Sequence, residues 1–247
     1  MGHILSSITP VEQKPKITHV IFDLDGTLID SEVCGSVLHI ECLKKFGRQY
    51  DPENKRTPVG ITHIEEIRAI IKLYELNVTE KGVLGCKLNF LKALYLLFRS
   101  FLGAARLIQH LHHHKIPMAI CTNSTRPHFD VKTKKFSSWL QKIPLKVMAG
   151  SDPETKNPKP FPEPFLVTMN RFAEKPESPQ NVLVFEDSLT GVVSALKAGV
   201  NVVMIPQKYF DDSGTHKQIE EIRPKLAALL RNMNEFQPEK FGLPSFN

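Results

Sequence analysis

The sequence predicts an α/β fold: a doubly wound parallel sheet with an inserted helical domain. Three observations carry this. Five short runs rich in Val, Ile or Met are continuously apolar rather than alternating, the pattern of strands covered on both faces, as in a parallel sheet. Segments with apolar residues at three- and four-residue steps fall between them, and strand alternating with helix is the mark of a layered α/β architecture. One interval, residues 31–103, breaks the rhythm with helical patterns and no strand signal.

Taken in order, the first strand is Thr18–Phe22, which runs directly into FDLDGTLID. Helices are expected near Glu32–Phe46, Ile61–Tyr74 and Thr79–Phe98, joined to the rest through loops near Ser31 and Arg99–Leu102. An insert placed just after the first strand stands above the carboxyl edge of the sheet, where such folds bind ligands, so a lid is expected. The chain divides accordingly into a core of residues 1–30 and 104–247 and a helical cap of residues 31–103. In the core, a helix over Gly103–His113 precedes strands Pro117–Cys121 and Leu145–Ala149. A helix over Phe161–Phe172, a strand Asn181–Phe185, a helix Thr190–Ala198 and a strand Asn201–Ile205 complete it. The Phe-, Pro- and Gly-containing tail Phe236–Asn247 reads as an extended strap over the core, and Trp139 as packing.

With 41% hydrophobic residues the chain can bury a full core. The balance of 32 Lys and Arg against 26 Asp and Glu gives a net charge of +6, which favours anionic ligands, nucleic acids and phosphorylated metabolites alike. The basic residues are scattered in short knots such as Lys132–Lys135, with no arginine-rich arm and no zinc-finger spacing, so a small phosphorylated metabolite is the expected partner and nucleic acid is not. Cys34, Cys42, Cys86 and Cys121 form no CxxC pair and read as buried free thiols of a reducing compartment. No secretory pattern opens the sequence and no run approaches the ~18 apolar residues of a membrane span. A cytoplasmic protein that acts as a monomer, away from membranes, is expected; the loose myristoylation pattern of Gly2 and Ser6 is assigned to chance. His110, His112, His113 and His114 read as a basic, solvated helix end, lacking the acid partner and spacing of a zinc site.

Four segments carry chemistry. Asp23 and Asp25 end the first strand two residues apart, so both can face one site, and Gly26 permits the turn that follows. Paired acids need a cation or a protonated member, and they suit a division of labour in which one attacks and the other shuttles a proton; an Asp that caps the turn is the competing reading. Thr122 and Asn123, in CTNS at the end of the second strand, are candidate phosphate binders through hydroxyl and strand-end amides, although such a cluster also serves as an ordinary turn and cap. Lys159, in NPKPFPEPF, is presented by flanking prolines at the mouth of a helix, where its ammonium can neutralise a phosphate; a solvated loop lysine is the plain alternative. Glu186 and Asp187 follow the fourth strand and can complete an oxygen-rich site for Mg²⁺, or lie on a solvated helix start.

Together and in this order, DLDGTL, a Thr, a Lys and ED resemble the haloacid dehalogenase superfamily of phosphatases, which is Rossmann-like in its core, across the whole core domain. The resemblance implies Asp23 as nucleophile, Asp25 as general acid and base, and Thr122 and Lys159 as phosphate binders. It implies Mg²⁺ held by Asp23, Glu186, Asp187 and the backbone carbonyl of Asp25, and identifies the helical insert with the cap of that group. The stretches GAARLIQHL, FDVKTKKF, SDPETKNPKPFPEPF, VFEDSLTGV and FQPEKFGLPSFN are further similar to the pseudouridine 5'-phosphatase branch, which implies a nucleotide or sugar phosphate substrate. Two positions depart from that branch, Gly60–Ile61 where it has Gly-Lys and Leu102 where it has Pro. A sugar phosphomutase and a catalytically silent binding protein are the alternatives to a hydrolase.

Overall fold

The computed structural model describes residues 16–31, 35–51, 63–207 and 213–246. Among these a six-stranded sheet is built from β1 (His19–Phe22), β4 (Met118–Thr122), β5 (Leu145–Met148), β6 (Val182–Glu186), β7 (Asn201–Met204) and β8 (Ala228–Leu229). The order is β5-β4-β1-β6-β7-β8 and every pair is parallel. The chain moves outward on one side of β1 and then on the other, so its direction reverses at the crevice between β1 and β6, the place where open α/β sheets bind ligands.

Alternation along the strands sorts the core into two layers. Val20, Phe22, Ile120, Leu183 and Phe185 point to one face, where they meet Leu107, Ile108 and Leu111 of α4 (Ala104–His113) and Trp139 of α6 (Ser137–Leu140). Ile21, Ala119, Cys121, Val184 and Val202 point to the other, against Phe165 and Met169 of α7 (Glu163–Asn170) and Val192 and Ala195 of α8 (Leu189–Lys197). The central strands are apolar on both faces, which is why they read as unbroken runs. On the first face the tail is held by rings: Phe236 meets Phe185 at 4.9 Å and Phe241 at 5.1 Å, and Phe246 lies under the Arg106 guanidinium at 3.9 Å.

Between β1 and β4 stand α1 (Gly35–Lys45), α2 (His63–Leu73) and α3 (Glu80–Leu94). Thr79 caps α3 by accepting from the Gly82 N–H. Glu66 of α2 bridges His39 of α1 at 3.1 Å and the buried Lys87 of α3 at 3.3 Å, so one carboxylate ties the three helices. Cys42 and Cys86 are buried and free, and burial, then the neighbouring Cys86 thiol, pushes the Cys42 thiol up. Cys34, Gly60, Ile61 and Gly2 lie outside the described residues.

Several expectations are corrected. The interval 31–103 does contain a strand: β3 (Arg99–Ser100) pairs antiparallel with β2 (Ile29–Asp30), a two-residue ribbon joining the helical insert to the sheet. Two residues are too few to show a period, and their partners lie far apart in the chain. The tail is an extended segment interrupted by a 3-10 turn over Pro238–Phe241. Nor is the histidine cluster simply solvated, since His110 Nε2 meets the Pro244 carbonyl at 2.8 Å and its ring packs on Phe246. Unforeseen helices α5 (Arg126–Thr133) and α9 (Ser213–Ile222) are mostly polar, and strand β8 is again two residues long. Among the described residues no helix is long and apolar enough to cross a membrane.

Candidate active site

The carboxyl ends of three adjacent strands supply the site. Asp23 follows β1, Thr122 closes β4 and Glu186 closes β6, with Asp187 next to it. The Asp23 N–H continues the ladder to the Phe185 carbonyl at 3.0 Å, which fixes the backbone beneath the carboxylate. Asp23, Glu186 and Asp187 are all buried, and one oxygen from each lies within 4.8 Å of the others.

Lys159 enters this cluster from the loop before α7, 3% exposed. Its ammonium donates to Asp23 Oδ1 at 2.6 Å, Glu186 Oε1 at 2.7 Å and the Cys121 carbonyl at 2.8 Å, so all three protons have acceptors. Burial alone lowers a lysine, but Asp23 and Glu186 outweigh it and hold Lys159 above its ordinary range. Asp23 is raised too: burial, opposed by Lys159 and reinforced by Glu186 and Asp25, pushes it up to about 8. Three buried acids around one ammonium leave a shortage of positive charge. A hard divalent cation with oxygen preference, such as Mg²⁺, fits this donor set.

Two glycines shape the acid seats. At Gly26 the backbone is left-handed (φ +84°), and a Cβ there would fall 2.0 Å from Asp187 Oδ2. A Cβ at Gly191, in the first turn of α8, would fall 1.9 Å from Glu186 Oε1. Glu186 Oε2 also accepts from the Asp187 N–H at 3.2 Å and from Ser188 Oγ at 3.3 Å, so its carboxylate is tethered on both oxygens. Thr27 Oγ1 donates to Asp187 Oδ1 at 3.2 Å. Neither glycine contact is legible in the sequence, since both depend on where a carboxylate from another position is folded back.

Asp25 faces a different set. Ser31 Oγ donates to Oδ1 at 2.5 Å, Ser124 Oγ to Oδ2 at 2.7 Å and Thr122 Oγ1 more weakly at 3.4 Å. Lys132 of α5 pairs with Oδ1 at 2.7 Å. Burial would raise this carboxyl, but Lys132 and the hydroxyl donors hold it down at about 2. The Asp25 side chain is thus turned away from the acid cluster, so its own carboxylate is not among the grouped cation ligands and only its backbone carbonyl is left for that expectation.

Asn123 is also differently employed. Its Oδ1 accepts from the Lys159 N–H at 3.0 Å and its Nδ2 donates to the Lys159 carbonyl at 3.2 Å. Both ends of the amide therefore brace the lysine backbone, and the side chain is not offered to a phosphate. Thr122 is 1% exposed, and its Oγ1 accepts from the Ser124 N–H at 3.1 Å.

A family model described as haloacid dehalogenase-like hydrolase matches residues 20–205. The chain is 35% identical over 232 residues to (DL)-glycerol-3-phosphatase 2 of Arabidopsis thaliana, covering 93% of each. It is 33% identical over 231 residues to a probable pseudouridine-5'-phosphatase of Drosophila melanogaster, covering 94% of this chain and 96% of that one. Among solved structures, CbbY from Rhodobacter sphaeroides in complex with phosphate has a TM-score of 0.72 at 20% identity, over 89% of this chain and 96% of the other, a likeness of fold. Fold, site and sequence agree that the chain belongs to the haloacid dehalogenase-like hydrolase family, among its phosphatases.

Proposed function

We propose that the protein is a Mg²⁺-dependent phosphomonoester hydrolase that works through an aspartyl-phosphate on Asp23. The observation that carries this reading is the buried cluster of Asp23, Glu186 and Asp187 bridged by Lys159 at the sheet's switch point. Asp23, Asp187, Glu186 and the Asp25 backbone carbonyl would hold the ion. When bound, Mg²⁺ supplies charge neutralisation for the phosphoryl oxygens and for the acids.

A carboxylate oxygen of Asp23 attacks phosphorus in line, and the ester P–O bond breaks as Asp25 delivers a proton to the leaving oxygen. Asp25 then takes a proton from the water that attacks the phosphoaspartate, which releases phosphate and restores Asp23. At rest Asp25 is ionised, the form the second half needs; the negative charge of an entering phosphate favours a proton on it for the first. Thr122 and Lys159 bind the phosphoryl oxygens, helped by strand-end amides such as that of Asn123. Tethered by Lys159 and the Ser188 region, Glu186 orients the cluster as much as it ligates.

Residues 31–103 act as the cap, which excludes water and selects the leaving group. The substrate is a small nucleotide or sugar phosphate of the cytoplasm. The relative named for pseudouridine-5'-phosphate supports the nucleotide class, and the one named for glycerol-3-phosphate supports a small phosphomonoester more broadly. Leu102, 63% exposed where the branch has Pro, belongs to the segment that leaves the cap. A panel of nucleotide and sugar phosphates, with and without Mg²⁺, tests the reading. Asp23→Asn should lose at least about 10³-fold in turnover while keeping the fold, since the nucleophile has no substitute. Activity retained in that variant would refute the assignment.

A further inference from the structure

Among the described residues the site holds two lysines, and the mechanism above uses only Lys159. The second, Lys132, belongs to the basic knot Lys132–Lys135 that the charge pattern singled out. Its ammonium lies 2.7 Å from Asp25 Oδ1 and 3.0 Å from Ser124 Oγ, and its side chain is 15% exposed. Ser124 Oγ in turn donates to Asp25 Oδ2 at 2.7 Å. Lys132, Ser124 and Asp25 therefore close a triangle in which each carboxylate oxygen has its own donor, and rotating the carboxyl group breaks two contacts at once.

The helix that carries Lys132 is firmly seated. Phe129 and Phe136, on either side of it in sequence, are buried in the core. Lys135 donates to the carbonyls of Leu96 and Phe98 at 2.8 and 2.9 Å, which ties the same segment to the chain leaving the cap. The two lysines do not share an acceptor: Lys159 serves Asp23, Glu186 and Cys121, whereas Lys132 serves Asp25 and Ser124. A charged donor on a carboxylate is stronger and more directional than a neutral one. Among the described residues, Lys132 is the lysine or arginine paired with Asp25.

We propose that Lys132 is a positioning residue for the proton-transfer aspartate. It holds the Asp25 carboxyl group in the orientation from which a proton passes between Asp25 and the leaving oxygen, and it does so through Asp25 rather than by contact with the phosphoryl group. This rests on the reading of Asp25 as the proton donor, and the test separates the two.

Wild type, Lys132→Met, Lys132→Arg, Asp25→Ala and the double variant Asp25→Ala/Lys132→Met are assayed as full chains with Mg²⁺. The readout is kcat/KM, which covers the steps up to the first phosphoryl transfer, on two kinds of substrate. One is an alkyl phosphate, glycerol 3-phosphate or pseudouridine 5'-phosphate, whose alcohol leaves poorly without a proton. The other is p-nitrophenyl phosphate, whose phenolate leaves unprotonated. For Lys132→Met the loss should be at least about tenfold on the alkyl phosphate and within about threefold on the aryl one. Lys132→Arg should recover part of the alkyl activity. The double variant should lie within about twofold of Asp25→Ala, because both changes disable one unit. The alkyl-to-aryl ratio is internal to each preparation, so an incompletely folded variant still reports.

Equal losses on both substrates in Lys132→Met, with Asp25→Ala discriminating between them, would overturn the proposal and leave the Asp25 reading standing. Additive losses in the double variant would overturn it too, by placing Lys132 on the substrate. If Asp25→Ala itself showed no discrimination, the proton-donor reading would fall, and this proposal with it.

Discussion

Asp23 and Asp25 stand two residues apart at one strand end, yet the fold treats them oppositely. Asp23 sits among Glu186, Asp187 and Lys159, and burial with the neighbouring acids lifts its carboxyl to about 8. Asp25 sits among Ser31, Ser124 and Lys132, which overcome burial and hold its carboxyl at about 2. One surrounding lacks positive charge and the other has enough. In the proposed mechanism two identical residues take separate roles in this way, one to meet a cation and an electrophile, the other to transfer a proton.

The first way to break this contrast is on the Asp23 side. Asp187→Asn removes one acid from the three-carboxylate cluster, so the Mg²⁺ concentration for half-maximal activity should rise about 10–100-fold, as metal-site changes typically do. Chelation should abolish turnover in the parent protein and added Mg²⁺ restore it. An unchanged Mg²⁺ requirement would remove Asp187 from the ion site.

Gly191→Ala should act on the same side by steric means. The added methyl would fall 1.9 Å from Glu186 Oε1 and force that carboxylate off Lys159. Overpacking of this kind costs about 1–3 kcal/mol, readable as a lowered Tm. Gly85→Ala is the control: it lies exposed in α3 with nothing within 4 Å of the new Cβ, and should stabilise by about 0.5–1 kcal/mol. Equal effects at the two glycines would contradict the packing described for Glu186.

The mildest test is pH. Asp23 is raised in the fold from an ordinary value of 3.8 to about 8, so the folded state binds a proton that the unfolded chain releases. Its contribution to stability is complete below about pH 4 and is lost as pH rises towards 8. The Tm of the metal-free protein should fall across that window, less steeply in Asp23→Asn, and saturating Mg²⁺ should offset the fall by binding the folded state. A metal-free Tm that rises from pH 4 to 8, by more in the parent than in Asp23→Asn, would contradict the sign.

Much of this was legible in the sequence because it is local. Unbroken apolar runs marked the five longer strands, and each chemistry-bearing segment follows directly on a strand or precedes a helix. What stayed hidden depends on contacts between distant segments. The Asn123 side chain braces the Lys159 backbone, a pairing across 36 positions, and only its strand-end amide is left for a phosphate. Lys132 looked like one charge in a surface knot, because the mostly polar helix α5 shows no apolar stripe that would orient it. The β2–β3 ribbon pairs only two residues a side across about 70 positions of chain, too short to show a period.

The most direct measurement is acid quenching during turnover of a substrate labelled with ³²P in its phosphoryl group, followed by peptide mapping. A hydroxylamine-sensitive label on the peptide containing Asp23, absent from Asp23→Asn, is the predicted result. No protein-bound label under conditions that trap acyl phosphates, or a label on another residue, would contradict it.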